Sequence, residues 1–435
     1  MYVKNNMMKF IRLYISFAIM LLCYTKTAIA QNTDSISYTN HVYNKNIKSI
    51  TLHVAGDPLS DAVINLNTDE KLHCSFDELY AGAKTYYYII EHCSANWEKS
   101  NIWTNEYLQG IETQMIYSVN ASFNTRLPYT HYNFTFPNNS FTLLKSGNYI
   151  LKVFSQNRYG EKNIVFTRRF HVVDQKILVG ADVTRANTAS GFEHKQEINV
   201  KVNTNGYPII APTTDLKIIV LQNGRWDNAL TSLKPTTYNP KVIDYGTLDE
   251  SNFVEAGNEF RYFDIKTLRT VYGLVRDITF DDSVYHVKLY DTESRKSKPY
   301  MSEQGIHGNF ILKTDDANNV DTQGEYARVN FFLSTPPVWD GNVYVAGNYN
   351  GWENTDENKM SYNGERMGYE ASILFKQGYY NYIYMVKPFN RNACNVGSIE
   401  GNHAQTKNKY TVLVYHRPRG KQYDELIGYQ NVEVH

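Results

Sequence analysis

The chain has 435 residues, with 44 lysines and arginines against 44 aspartates and glutamates, so its formal net charge is zero. That balance offers no electrostatic reason to grip nucleic acid or an anionic membrane surface. The length exceeds what one core usually organises, so roughly two to four domains are expected, and the 36 tyrosines favour half-buried pleated surfaces.

Residues 1–30 read as an export signal. Lys4, Lys9 and Arg12 precede the apolar run Leu13 to Leu22, and Ala28-Ile29-Ala30 supplies a small-x-small cleavage site before Gln31. The run is roughly half the length needed to cross a bilayer, which favours cleavage over retention as an anchor. Leu22 stands where attachment of lipid at Cys23 would need a small residue. Without the leader the chain carries about four net negative charges and keeps Cys74, Cys93 and Cys394. Three cysteines cannot make a disulfide framework, and all three read as small buried thiols. No later stretch is apolar enough for a transmembrane helix, so no direct membrane insertion is expected.

A first block, 31–175, contains short strands separated by turn residues. Ile50, Leu52 and Val54 alternate with polar positions before Gly56-Asp57-Pro58, and Leu72, Cys74 and Phe76 alternate again. Tyr86 to Cys93 is apolar or aromatic on both parities, as in the interior of a sandwich. It is read as the neighbour of the Leu72 strand across a hairpin near Ala81–Ala83. Tyr132, Phe134 and Phe136, then Tyr149 to Phe154 and Ile164 to Val173, complete the set. A second block, 176–325, has strands at Ile198 to Val202, Leu216 to Leu221, Phe260 to Tyr262 and Val284 to Leu289, with long polar loops near 229–258 and 291–309. A third, 326–435, has Tyr326 to Phe331, a Pro336-Pro337 turn, Val343 to Gly347, Ile373 to Phe375, Tyr379 to Val386 and a last strong strand at Tyr410 to Tyr415. The pattern predicts an all-β protein: tandem immunoglobulin-like β-sandwich domains behind a cleaved signal peptide.

Motifs for chemistry are sparse. The chain has no H-E-x-x-H, G-x-S-x-G or phosphate-binding loop. Glu91-His92-Cys93 pairs an imidazole with a thiol in sequence, but neighbours on a strand face opposite ways. His131, His194 and His286 are isolated, and Asp281-Asp282 and Asp315-Asp316 sit in turn contexts that suit solvated loop acids. No cofactor, metal or catalytic residue is assigned.

Val343 to Gly347, Asn348-Tyr349-Asn350-Gly351-Trp352 and Gly378-Tyr379-Tyr380-Asn381-Tyr382 resemble, in order and spacing, the early-set domains that bind starch and glycogen. That resemblance implies an immunoglobulin-like fold and marks Tyr349 and Trp352 as candidate sugar-stacking residues. The loop Lys387 to Asn395 lacks a second tryptophan, and packing is the competing role for Trp352.

A longer series runs through the chain. It comprises Tyr88-Ile89-Ile90-Glu91-His92-Cys93-Ser94-Ala95-Asn96-Trp97, Glu106-Tyr107-Leu108-Gln109-Gly110, Ser122-Phe123-Asn124-Thr125, Arg168-Arg169-Phe170, Gln222-Asn223-Gly224-Arg225-Trp226, Ala256-Gly257-Asn258-Glu259-Phe260-Arg261, Lys376-Gln377-Gly378-Tyr379 and Ile399-Glu400-Gly401. In this order the series resembles the type IX secretion plug family of the Bacteroidetes. The resemblance implies a non-enzymatic periplasmic protein, associated with the inner side of the outer membrane, that binds and occludes the giant β-barrel translocon. It assigns no partner-contacting residue. The other readings are an envelope carbohydrate-binding protein, using Tyr349 and Trp352, and a hydrolase whose carboxylates meet only on folding. Trp97, Trp226, Arg168, Arg169, Arg225 and Arg261 have two possible roles, core packing or contact with the barrel rim.

Overall fold

The computed structural model describes residues 37–434 except 81, 247, 248 and 282. The export signal expected at 1–30 lies outside the described residues. Residues 38–434 belong to one compact unit, and it is all-β: its described α-helices are single turns of four residues.

The first sandwich faces a six-stranded sheet against a four-stranded one. In the larger, Lys162–Val173, Gly147–Gln156 and Tyr86–Cys93 form the centre, with Gln114–Met115 at one edge. The smaller runs Ile47–Val54, Leu72–Leu79, Tyr129–Phe136, Ser118–Ala121. Leu72–Leu79 and Tyr86–Cys93 therefore lie in opposite sheets, and the hairpin expected between them is a crossover. The aromatic residues explain why. Phe76 from one sheet stacks on Tyr132 at 4.9 Å and meets Tyr86 and Phe166 of the other edge-on at 5.5 and 5.1 Å. Such pairs add about 0.5–1.5 kcal/mol each beyond their buried area.

The second sandwich is assembled from two distant segments. One sheet is Leu178–Arg185, Lys195–Asn203, Val242–Asp244 and Thr237–Tyr238, with Phe253–Glu255 also on Lys195–Asn203. The other is Arg225–Leu230, Leu216–Gln222, Lys409–His416 and Glu425–Glu433. Leu216–Gln222 pairs over its whole length with Lys409–His416, Leu216 opposite His416 and Gln222 opposite Tyr410. Ile198, Val200, Ile218, Val220, Val412 and Val414 fill the space between the sheets. The stretches read as middle and last blocks thus share one core. A further strand, Glu425–Glu433, follows the one read as last and covers its outer edge.

The third sandwich lies in the chain between those two segments. Its larger sheet runs Val275–Phe280, Tyr285–Leu289, Tyr326–Ser334, Gly368–Lys376, Ser361–Asn363. Opposite it, the long strand Gly378–Pro388 pairs with Arg261–Asp264, Phe310–Leu312 and Gly341–Ala346. Phe263, Phe331, Phe375, Tyr380 and Tyr382 make its core.

Candidate functional site

The residues that suggested chemistry are held in forms that suit structure. His92 shares hydrogen bonds with Ser100 Oγ at 2.8 Å and the Ser146 carbonyl at 3.1 Å, and burial pulls its pKa down to about 4. Cys93 turns the other way, onto Trp97 and Ile150, and burial pushes its thiol up to about 12. A neutral thiol facing away from a saturated imidazole is not an activated nucleophile. Cys74 and Cys394 are likewise buried free thiols.

His131 Nδ1 lies 2.7 Å from Asp77, His194 meets the Asn402 carbonyl, and His286 lies 2.6 Å from Asp281. Asp281 also accepts from the amides of Ser283 and Val284, and Asp316 accepts from Thr267, Leu268 N and Gln377. These acids close turns. Asp282 lies outside the described residues. Among the described residues no three His, Cys, Asp or Glu side chains converge as metal ligands.

Of the two candidate sugar-stacking residues, Tyr349 and Trp352, burial favours the packing role for Trp352. Trp352 is 9 % exposed and packs with Phe260, Ala346, Ile383 and Met385. Its indole approaches Gly308 so closely that a Cβ there would lie 2.6 Å from the ring. Gly308 has φ +82°, so glycine is demanded both by backbone and by the indole. The Tyr349 hydroxyl donates to the Val345 carbonyl at 2.7 Å, and its ring lies edge-on to Phe375. The Trp352 indole is therefore a packing group, and the Tyr349 ring is half-buried.

The motif residues meet at the seams between sandwiches. Asp77 of the first sandwich accepts hydrogen bonds from Lys376 and the Tyr326 hydroxyl of the third, each at 2.7 Å. Burial alone would raise the Asp77 pKa, but Lys376 and His131 outweigh it and hold the carboxyl below its usual range. Arg126 N donates to Glu325, and Phe123 N to the Thr322 carbonyl. Between the first and second sandwiches, the Arg169 guanidinium lies 4.3 Å from the Trp97 ring and 5.1 Å from that of Trp226. The two indoles meet edge-on at 5.2 Å, Asp61 binds Lys409, and the Tyr415 hydroxyl donates to Asn148. On the third side, Arg225 grips Asp227 with two hydrogen bonds, and Asp227 accepts from Cys394 N. Buried Glu400 accepts from Arg261, Arg295 and Tyr384 N, and Asn258 donates to its carbonyl. Trp97, Trp226, Arg169, Arg225 and Arg261 are therefore engaged in internal packing and seams.

What remains available for a partner is elsewhere. At one end of the third sandwich, loop 335–340 joins Tyr326–Ser334 to Gly341–Ala346. Pro336 and Pro337 restrict its backbone, the Val338 amide donates to the Tyr369 hydroxyl, and the Asp340 carbonyl accepts from Phe389 N. Trp339, Met367 and Phe389 project from this loop and its two neighbours, 85 %, 70 % and 71 % exposed. The Arg366 guanidinium sits 3.6 Å over the Phe332 ring and binds Asp291, which holds the hairpin bearing Met367. Three large apolar side chains on adjoining tied-down loops suit a protein contact. Sequence reasoning passed over Trp339; an indole between a Pro-Pro turn and Asp340-Gly341 was the available signal. Trp103, 81 % exposed on the first sandwich, was missed in the same way.

Residues 47–174, the first sandwich, match the family described as type 9 secretion system plug protein 1st domain. The crystal structure of a hypothetical protein from Parabacteroides merdae is similar to this chain at 34% sequence identity, with a TM-score of 0.88, covering 92% of this chain and 100% of that one. No curated protein matches the chain.

Proposed function

The chain belongs to the type IX secretion plug family, and from that premise we propose that it is a periplasmic plug, seated on the periplasmic opening of the outer-membrane translocon barrel and occluding it without catalysing a reaction. The observation that carries this reading is the three-way locking of the sandwiches. A plug must keep its seat against a wide opening, and a chain of independently hinged domains would not. Here Asp77–Lys376 ties the first sandwich to the third, Asp61–Lys409 ties the first to the second, and Asp227 accepting from Cys394 N ties the second to the third. The exposed end bearing Trp339, Met367 and Phe389 is the face we assign to the barrel rim. Among the described residues no helix is long and apolar enough to cross a membrane, so attachment through the barrel accounts for a place at the inner side of the outer membrane.

The test is affinity isolation of the tagged protein from detergent-solubilised outer membranes, with identification of what accompanies it. A very large β-barrel in near-stoichiometric amount is the expected result, and deletion of the protein should make that barrel leaky. A barrel isolated without this protein, or unaltered permeability on deletion, would overturn the reading.

A further inference from the structure

Arg168 belongs to the strand Lys162–Val173, beside Phe166, whose ring lies 5.6 Å from the guanidinium. It stands at the side of the first sandwich against which the third packs. Two clefts open there, of about 340 and about 260 Å³, and Arg168, Ile50 and Phe310 form part of the wall of both. Arg168 is only 7 % exposed. It makes one hydrogen bond, from Nη1 to the Thr167 carbonyl at 2.8 Å. An arginine carries five N–H donors in a fixed fork, so most of this one lacks a protein acceptor among the described residues.

Several of the neighbouring charges are already engaged. Asp61 holds Lys409, Lys48 holds Glu357 and Lys376 holds Asp77. Glu353 acts on Arg168 only at a distance, and its carboxylate lies 2.6 Å from His41. Desolvation already pulls the Arg168 pKa down, as expected for a buried cation without a close counter-ion. The missing element is one negative charge of planar, two-oxygen geometry, the shape that a guanidinium fork grips through two parallel hydrogen bonds. Ile50 and Phe310 supply apolar wall in the same clefts.

We propose that this seam is a binding site for a monocarboxylate with a short apolar tail, its carboxylate on Arg168 and its tail along Ile50 and Phe310. The source is either a free organic acid or the carboxyl end of a peptide, and the chemistry of recognition is the same.

Isothermal titration of the full mature chain at neutral pH tests this, with hexanoate, N-acetyl-leucine, N-acetyl-leucinamide and inorganic phosphate as probes. The expected result is saturable binding of at least one acid and none of the amide or phosphate. Binding of both acids identifies a general monocarboxylate site; binding of N-acetyl-leucine alone identifies the peptide end. Arg168→Gln should weaken binding about tenfold to a hundredfold, the worth of hydrogen bonds to a charged group. Phe310→Ala, which leaves the guanidinium in place, should weaken it about tenfold. Silence from both acids with the wild-type chain overturns the site whatever the variants do. So does equal binding of the amide, tighter binding of phosphate, or unchanged affinity in a folded Arg168→Gln protein.

Discussion

The ammonium of Lys376 lies 2.7 Å from Oδ2 of Asp77, and each side chain is 1 % exposed. The two residues are 299 positions apart and belong to different sandwiches. His131 and the Tyr326 hydroxyl complete the shell around the carboxylate, and Lys376 also lies 4.2 Å from the Tyr129 ring centroid. An ion pair so buried does more for the alignment of the two sandwiches than for net stability, because desolvation offsets much of its attraction.

Breaking that pair from one side should be severe. Lys376→Met leaves the Asp77 charge uncompensated, and a cost of about 3–5 kcal/mol is expected. Replacing both partners with apolar residues should restore much of the loss. Urea unfolding of the single and double variants measures this, and additive losses would contradict it.

Acid should destabilise the protein before most carboxylates titrate. Burial depresses His92 to about 4 and His171 to about 3, whereas an unfolded histidine titrates near 6.5. Both contributions are fully present above about 6.5. As pH falls from there the unfolded chain takes up protons that the folded one refuses. Stability then declines by up to about 1.4 kcal/mol per pH unit for each histidine, until the folded values are passed. Unfolding midpoints between pH 7 and pH 5 report this slope. His171→Gln should flatten it, since that side chain keeps a partner for Asn148 without a titrating ring.

Trp352 should behave as a core residue. Trp352→Ala is expected to cost about 3–5 kcal/mol, as for other large aromatic truncations. Calorimetry with α-glucans should show no heat of binding for either protein. Saturable glucan binding by the wild type, lost in the variant, would return the early-set resemblance to a functional one.

Trp339→Ala and Phe389→Ala should leave the thermal midpoint nearly unchanged, because both side chains are solvated. Each should weaken association with the translocon barrel by about 2 kcal/mol, roughly thirtyfold. A quantitative pull-down reads this directly; full retention of the barrel in the double variant would move the seat to another face.

Most of the strands were legible in the sequence. Ile198 to Val202, Leu216 to Leu221, Tyr326 to Phe331 and Tyr410 to Tyr415 carry alternating or continuous apolar patterns, and each is a strand. Glu425–Glu433 was harder to see, because Gly428 and a polar second half dilute the pattern. The crossover after Leu79 is hidden in the sequence because proximity suggests a hairpin, while the packing of Phe76 and Tyr86 requires opposite sheets.

The motifs supported the family, but their spacing could not say what they do. Arg261 and Glu400 are 139 residues apart and form one buried cluster, and Gly308 makes room for an indole 44 positions away.

By itself, then, the sequence determined the all-β class and most of the strands, because side-chain alternation and local turn chemistry are written in neighbouring residues, while the order of its motifs carried the resemblance to the family. Tertiary structure alone decided that the third sandwich interrupts the second, that Trp352 is buried while Trp339 is bare, and that, among the described residues, Arg168 meets a single protein acceptor. Those outcomes depend on pairing and burial between segments hundreds of residues apart. Two apolar strands read the same whichever partner they take, so the choice is made only when the cores close.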